Sequence, residues 1–275
     1  MTRDMVFVLG SSPKGELGLG AERAVAETGV IIPDFPPAGT KIVSLASGMG
    51  HSVAVLSTGE VYGWGGSRKG QLGESLKEGK IAWSPGKVEG VPFCVSGAVC
   101  GREFTVLIGE RSLGEFVVMG DKANRWGVMD IPDSLLGRDG GRKEIFDVGA
   151  SWHGIYVHVS GSELKDSSNL ADARSAVAAG SLVAWGRNDR GQLPPPNFPS
   201  LVEIGVGSEH VLALLEDGAV ATFGWGEHGN CGSETDARGN VAGKYNLISL
   251  PDEDRSDEKV VRVEGGCATS WLIVE

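Results

Sequence analysis

Apolar residues along this chain recur in short runs that alternate with small or polar ones, and glycine-bearing turns separate the runs. Ser52–Ser57 reads "SVAVLS" and Glu60–Gly65 reads "EVYGWG", with Thr58-Gly59 between them. Alternation at period two puts successive side chains on opposite faces of a strand, and glycine in a two-residue turn tolerates the positive φ that a tight hairpin needs. The same design returns around Asp217-Gly218. Strand–turn–strand is the predicted local unit, and the chain is read as all-β.

The unit repeats. Residues 42–73, "IVSLASGMGHSVAVLSTGEVYGWGGSRKGQLG", and residues 201–232, "LVEIGVGSEHVLALLEDGAVATFGWGEHGNCG", superpose without a gap. Gly48 falls on Gly207, His51 on His210, Gly59 on Gly218 and Trp64 on Phe223. A partial copy runs Glu144–Val159, with His153 opposite His51, and resumes at Ser181–Pro194. Another runs Cys94–Gly109, with Phe104 at the histidine position. Met5–Gly18 carries only the second half of a repeat, and Val260–Glu275 only the first. A small sheet cannot bury both faces alone, so it stacks on its neighbours, and radial stacking leaves only short edges. The prediction is a single β-propeller domain over residues 1–275 with about five blades, closed by N- and C-terminal strands that share one blade. Residues 160–181 read as a surface insertion, and "LPPPNFP", Leu193–Pro199, as a stiff connector, since proline cannot donate to a ladder.

One copy of the turn after the hairpin departs from the pattern. Trp64–Gly73 reads "WGGSRKGQLG" and Phe223–Gly232 reads "FGWGEHGNCG". The glycines stay in register, but Gly66 is replaced by Trp225, Gln71 by Asn230 and Leu72 by Cys231. Glycines let backbone approach another surface closely, and a tryptophan flanked by Glu227 and His228 has the make-up of an interface anchor.

The pattern G-x-x-H-S…W-G-x-x-x-x-x-G-Q-L-G, Gly48 to Gly73, resembles the regulator of chromosome condensation repeat family, over nearly the whole chain. That family is commonly seven-bladed, so the resemblance implies that blades are lost here or that degenerate ones hide in residues 74–94 and 160–180. "GWGEHGNCG" together with the terminal "GGCATSWLIVE" is similar to the killer-toxin-insensitivity, or alpha-tubulin suppressor, group of fungal propellers. The resemblance implies a non-catalytic adaptor that forms a heterodimer with a CSL-type zinc-finger protein. It would support Elongator-dependent modification of wobble uridine in tRNA and diphthamide synthesis, in cytoplasm and nucleus. Carried onto this sequence, the implied partner-binding residues are Trp225, Glu227, His228, Asn230, Cys231, Cys267 and Trp271. An exchange factor for a small GTPase is the alternative that fold resemblance alone suggests.

Composition narrows the field. The chain has 275 residues, 43 of them glycine, and a formal net charge of −11. Binding nucleic acid needs a lysine and arginine excess to displace phosphate counterions, so a direct nucleic-acid surface is not expected. The acidic stretch Pro251–Lys259 reads as a solvated loop. Four cysteines without CxxC spacing, and an N-terminus lacking a basic region followed by a long apolar one, lead to the expectation of a reduced intracellular protein. No apolar run reaches the ~20 residues of a membrane span.

Enzyme signals are thin. His51, His153 and His210 share one repeat position, where an imidazole bonded to backbone at a blade turn is expected. His228, Cys231 and Cys267 amount to at most three ligands without the paired spacing of a zinc site, so neither metal nor cofactor is expected. No phosphate-binding loop or nucleophile elbow is present. Trp64, Trp185 and Trp271 recur at repeat positions and are assigned to the core, whereas Trp83, Trp126 and Trp152 lie off the repeat.

Overall fold

The computed structural model describes residues 4–136, 141–161, 180–250 and 259–275. The 160–181 insertion falls almost wholly, and the 251–258 loop wholly, outside the described residues. The chain gathers into two compact units, residues 1–125 and 126–275.

In the first unit, β1 (Phe7–Ser11) and β2 (Val25–Ile31) form a two-stranded sheet. A four-stranded antiparallel sheet follows: β3 (Ile42–Ser47), β4 (His51–Leu56), β5 (Val61–Gly66) and β6 (Ile81–Lys87). β7 (Gly97–Cys100), β8 (Phe104–Ile108) and β9 (Phe116–Gly120) make a three-stranded sheet. Residues 74–94 hold no degenerate blade: a short helix, Glu74–Lys77, leads into β6, which completes the sheet begun at β3. β4 and β8 are buried along their whole length, so their side chains fill the core on both faces, with Val53, Val55, Leu72 and Leu107 packed together.

The second unit repeats the scheme. β10 (Ile145–Ala150), β11 (Gly154–Ser160) and β12 (Gly180–Gly186) run antiparallel. β13 (Leu201–Val206), β14 (His210–Leu215), β15 (Val220–Trp225) and β16 (Asn240–Ile248) follow, joined to the preceding strands by the single pairing Gly180–Leu201. β17 (Val260–Gly265) and β18 (Ser270–Val274) close the chain. Of the strands that open a repeat, β3, β10, β13 and β17, but not β7, carry a register shift at the same point, between Ile42 and Ser44 in β3. Such a bulge sharpens the local twist of a short sheet.

β1 pairs with β2 and β17 with β18, each in a two-stranded sheet. Each hairpin satisfies its backbone groups along one edge only, and it leaves Leu9 (67%) and Trp271 (61%) exposed. Trp271 is therefore a surface residue and not part of the core. Trp64 and Trp185 are buried as expected.

Long-range bonds explain the recurring residue types. Trp64 Nε1 donates to Glu16 O at 3.0 Å, and Trp185 Nε1 to Val128 O at 2.8 Å. Thr105 Oγ1 donates to Gln71 O at 2.7 Å, and Ser270 Oγ to Asn230 O at 2.7 Å. Each of these donors lies on a strand and reaches the carbonyl of an earlier turn, so one repeat is tied to the next through a satisfied buried backbone acceptor.

The repeated histidine uses the same hydroxyls. His51 Nε2 bonds Thr105 Oγ1 at 2.9 Å and His210 Nε2 bonds Ser270 Oγ at 3.0 Å, and each imidazole also has the expected backbone partner, at Phe104 and Thr269. Each hydroxyl has already given its proton to a carbonyl, so the imidazole must donate from Nε2. The G-x-x-H spacing has a steric cause. A Cβ on Gly48 would stand 2.7 Å from His51 Cε1, and one on Gly207 would stand 2.5 Å from His210 Nδ1.

Candidate functional site

The atypical turn follows β15. Gly224, at φ 110°, lies where a Cβ would come within 2.6 Å of Glu209 O, and this close approach lets Trp225 N donate to Glu209 O at 2.9 Å. The chain thus leaves the sheet with the Trp225 ring half-buried at the surface. Trp225 Nε1 donates to Glu227 Oε2 at 3.0 Å, and the His228 ring meets the indole edge-on with centroids 5.0 Å apart. Arg190, from the turn after β12, lies over the indole at 4.5 Å. Glu227 and His228 are exposed.

The other two replacements face inward. Gln71 Oε1 accepts from Lys69 N at 2.9 Å and Gln192 Oε1 from Arg190 N at 2.8 Å, so the glutamine of G-Q-L caps its own turn. Asn230, one methylene shorter, donates instead from Nδ2 to Trp225 O at 2.9 Å, and its buried Oδ1 has no protein partner. The swap thus ties the turn to the tryptophan backbone. Cys231 takes the place of Leu72 in the core beside Phe223 and Val241, and burial pushes its thiol up to about 12. It is a small buried hydrophobe rather than a thiolate.

Of the residues that the resemblance implies, the structure brings Trp225, Glu227, His228 and Asn230 into one turn. The bond from Ser270 to Asn230 O anchors that turn to β18, one residue from the exposed Trp271. Cys267 is exposed, and its carbonyl accepts from Ser208 Oγ. Cys231 points into the core. Among the described residues, no three His, Cys, Asp or Glu side chains gather as a metal-binding group, and no helix is long and apolar enough to cross a membrane.

Sequence reasoning missed the neighbouring turn. Glu209, where the first copy has Gly50, is buried, with its side chain at 4% exposure. Its carboxylate accepts from Arg187 Nη1 at 3.0 Å and Gln192 Nε2 at 2.6 Å, and His153 Nδ1 lies 3.7 Å away. Burial alone would raise its pKa, but the neighbouring imidazole, the Gln192 amide and the Arg187 charge outweigh that and hold it below the usual carboxylate range. Arg187 also binds Asp189 through two nitrogens, at 2.6 and 2.9 Å, and lies over the Trp126 ring at 5.0 Å. His153 meets that ring at 5.8 Å. Two arginine–tryptophan contacts therefore flank one turn, Arg187 over Trp126 and Arg190 over Trp225. The usable signal was a glutamate where the other full copy has glycine.

Comparison with known proteins agrees with this architecture. Models of the regulator of chromosome condensation (RCC1) repeat match residues 42–71 and 58–108. Residues 42–108 carry RCC1 repeats. It is similar to the RCC1 repeat-containing protein C10F6.04 of Schizosaccharomyces pombe, with 28% identity covering 99% of this chain and 68% of that protein. It is also similar to the secretion-regulating guanine nucleotide exchange factor of Bos taurus, with 26% identity covering 84% of this chain and 54% of that one. Among solved structures, yeast RCC1 (Prp20) bound to Kap60 superposes with a TM-score of 0.72 at 20% identity, covering all of this chain and 63% of that one. That likeness establishes the all-β RCC1-type propeller fold. The chain spans about two thirds of the fission yeast relative and about half of the bovine one.

Proposed function

We propose that this chain is a non-catalytic adaptor whose docking surface is the Trp225 turn. Its partner on this reading is a CSL-type zinc-finger protein, and the pair serves Elongator-dependent wobble-uridine modification and diphthamide synthesis, in cytoplasm and nucleus. One observation carries the reading. The single copy of the turn that exchanges glycine for tryptophan holds that ring at the surface, buttressed by Glu227, His228, Asn230 and Arg190. Rigid aromatic rings ringed by polar groups are typical interface anchors. The charge balance fits a protein partner better than a nucleic acid.

Co-purification with the tagged zinc-finger protein tests the reading. The wild-type chain is expected to be retained, and a Trp225→Ala, His228→Ala double variant of unchanged melting temperature to be lost, a fall of at least tenfold. Retention of the double variant, or no retention of the wild type, would remove the proposal.

An exchange factor is the second reading, favoured by the likeness to the bovine secretion-regulating guanine nucleotide exchange factor. Release of a fluorescent guanine nucleotide from a Ran-type GTPase separates the two. The adaptor reading expects the same release rate with and without this chain.

A further inference from the structure

We infer that Arg190 is a carboxylate-binding residue: its guanidinium, lying over the Trp225 ring, receives an acidic side chain from a partner protein. The inference rests on the Trp225 turn being the docking surface, and it adds the chemistry of what docks there.

The two arginines of the turn after β12 have opposite circumstances. Arg187 is saturated, with Asp189 on two nitrogens and Glu209 on a third. Arg190 lies 4.5 Å over the Trp225 ring, and among the described residues no carboxylate lies within ion-pair distance of it. The acidic groups around it are committed elsewhere: Asp189 and Glu209 to Arg187, and Glu227 to the Trp225 indole. Among the described residues the Arg190 side chain has no hydrogen-bond acceptor, and a guanidinium fork matches a carboxylate in two parallel bonds.

The fork is also held in place from behind. Gln192 Oε1 caps Arg190 N while Gln192 Nε2 is fixed on buried Glu209, and Asn188 Oδ1 accepts from Leu193 N at 3.0 Å. The turn cannot shift without breaking a buried hydrogen bond. Little further ordering is therefore needed when a carboxylate arrives, and this lowers the entropic cost of binding. Glu209 acts at a distance from the surface as the positioning residue for Arg190.

Titration of the ¹⁵N-labelled chain at low salt with a capped hexaglutamate peptide, against capped hexaglutamine as control, tests this directly. Saturable shifts of the Arg190 Nε–H and Trp225 indole N–H signals are expected with hexaglutamate alone, and are expected to vanish in Arg190→Gln. Absence of those shifts, equal shifts with hexaglutamine, or their persistence in Arg190→Gln would overturn the inference. With the zinc-finger protein as titrant, Arg190→Gln is expected to bind at least tenfold more weakly. Arg190→Lys should recover only part of that, because an ammonium cannot form the bidentate pair. If Trp225→Ala abolishes zinc-finger binding while Arg190→Gln leaves it intact, Arg190 is not the contact and the docking reading stands. Hexaglutamate shifts without any zinc-finger binding would uphold Arg190 and remove that partner.

Discussion

Glu209→Leu is expected to lower the unfolding free energy by about 3 kcal/mol, with an apparent melting temperature lower by roughly 6–12 °C. The glutamate sits nearly wholly buried between Arg187 and Gln192. Removing its carboxylate leaves a guanidinium, 18% exposed, with Asp189 as its remaining ion partner, and takes from the Gln192 amide its 2.6 Å bond. Breaking one side of a buried pair costs more than the pair contributed, because the surviving charge keeps its desolvation penalty. An Arg187→Leu, Glu209→Leu double variant should therefore be less destabilised than the sum of the two single changes. Equilibrium unfolding in urea measures all three. Additive losses, or a Glu209→Leu midpoint equal to wild type, would show that the network contributes no more than a surface ion pair. Because Gln192 also caps Arg190, the single variant should weaken binding at the Trp225 turn as well.

Acid should begin to destabilise the fold above the ordinary carboxylate range. His51 lies in a fully buried position, and desolvation brings its imidazole down to about 4 from the ordinary 6.5. His210 and His158 are lowered for the same reason. Between the folded and unfolded values, the unfolded chain binds the proton and the folded one does not, so stability falls as pH is lowered through that window. For His51 the window runs from 6.5 down to about 4 and corresponds to about 3 kcal/mol. The geometry supplies the cause. Nε2 already donates to Thr105, and the buried Nδ1 has no protein partner, so the added proton would be buried with no acceptor.

Below about 4.5 the loss should continue, because Glu209 and Asp189 are held low by their partners and lose that stabilisation as they protonate. Glu203, raised by burial, works in the opposite sense. Thermal unfolding from pH 7 to 4.5 is the measurement, and His51→Gln should give a visibly flatter profile than wild type. Identical slopes for the two proteins would exclude His51 as the group responsible.

Much of this architecture is written in the order of residues. Strand alternation, glycine at the turns and the two gap-free copies lead to an all-β stack of repeats, because these signals depend on neighbours within one hairpin. The atypical turn was equally visible, since a tryptophan in place of a glycine is a local departure. What the pattern could not tell was which side chains meet across the repeats. Thr105 joins His51 from 54 positions away, Ser270 joins His210 from 60, and Arg190 finds Trp225 only because their two turns are packed together. The burial of Cys231 and the exposure of Trp271 belong to the same class. Each depends on which surface is left over once the sheets have packed, and packing is a property of the assembled sheets that no single stretch of chain contains.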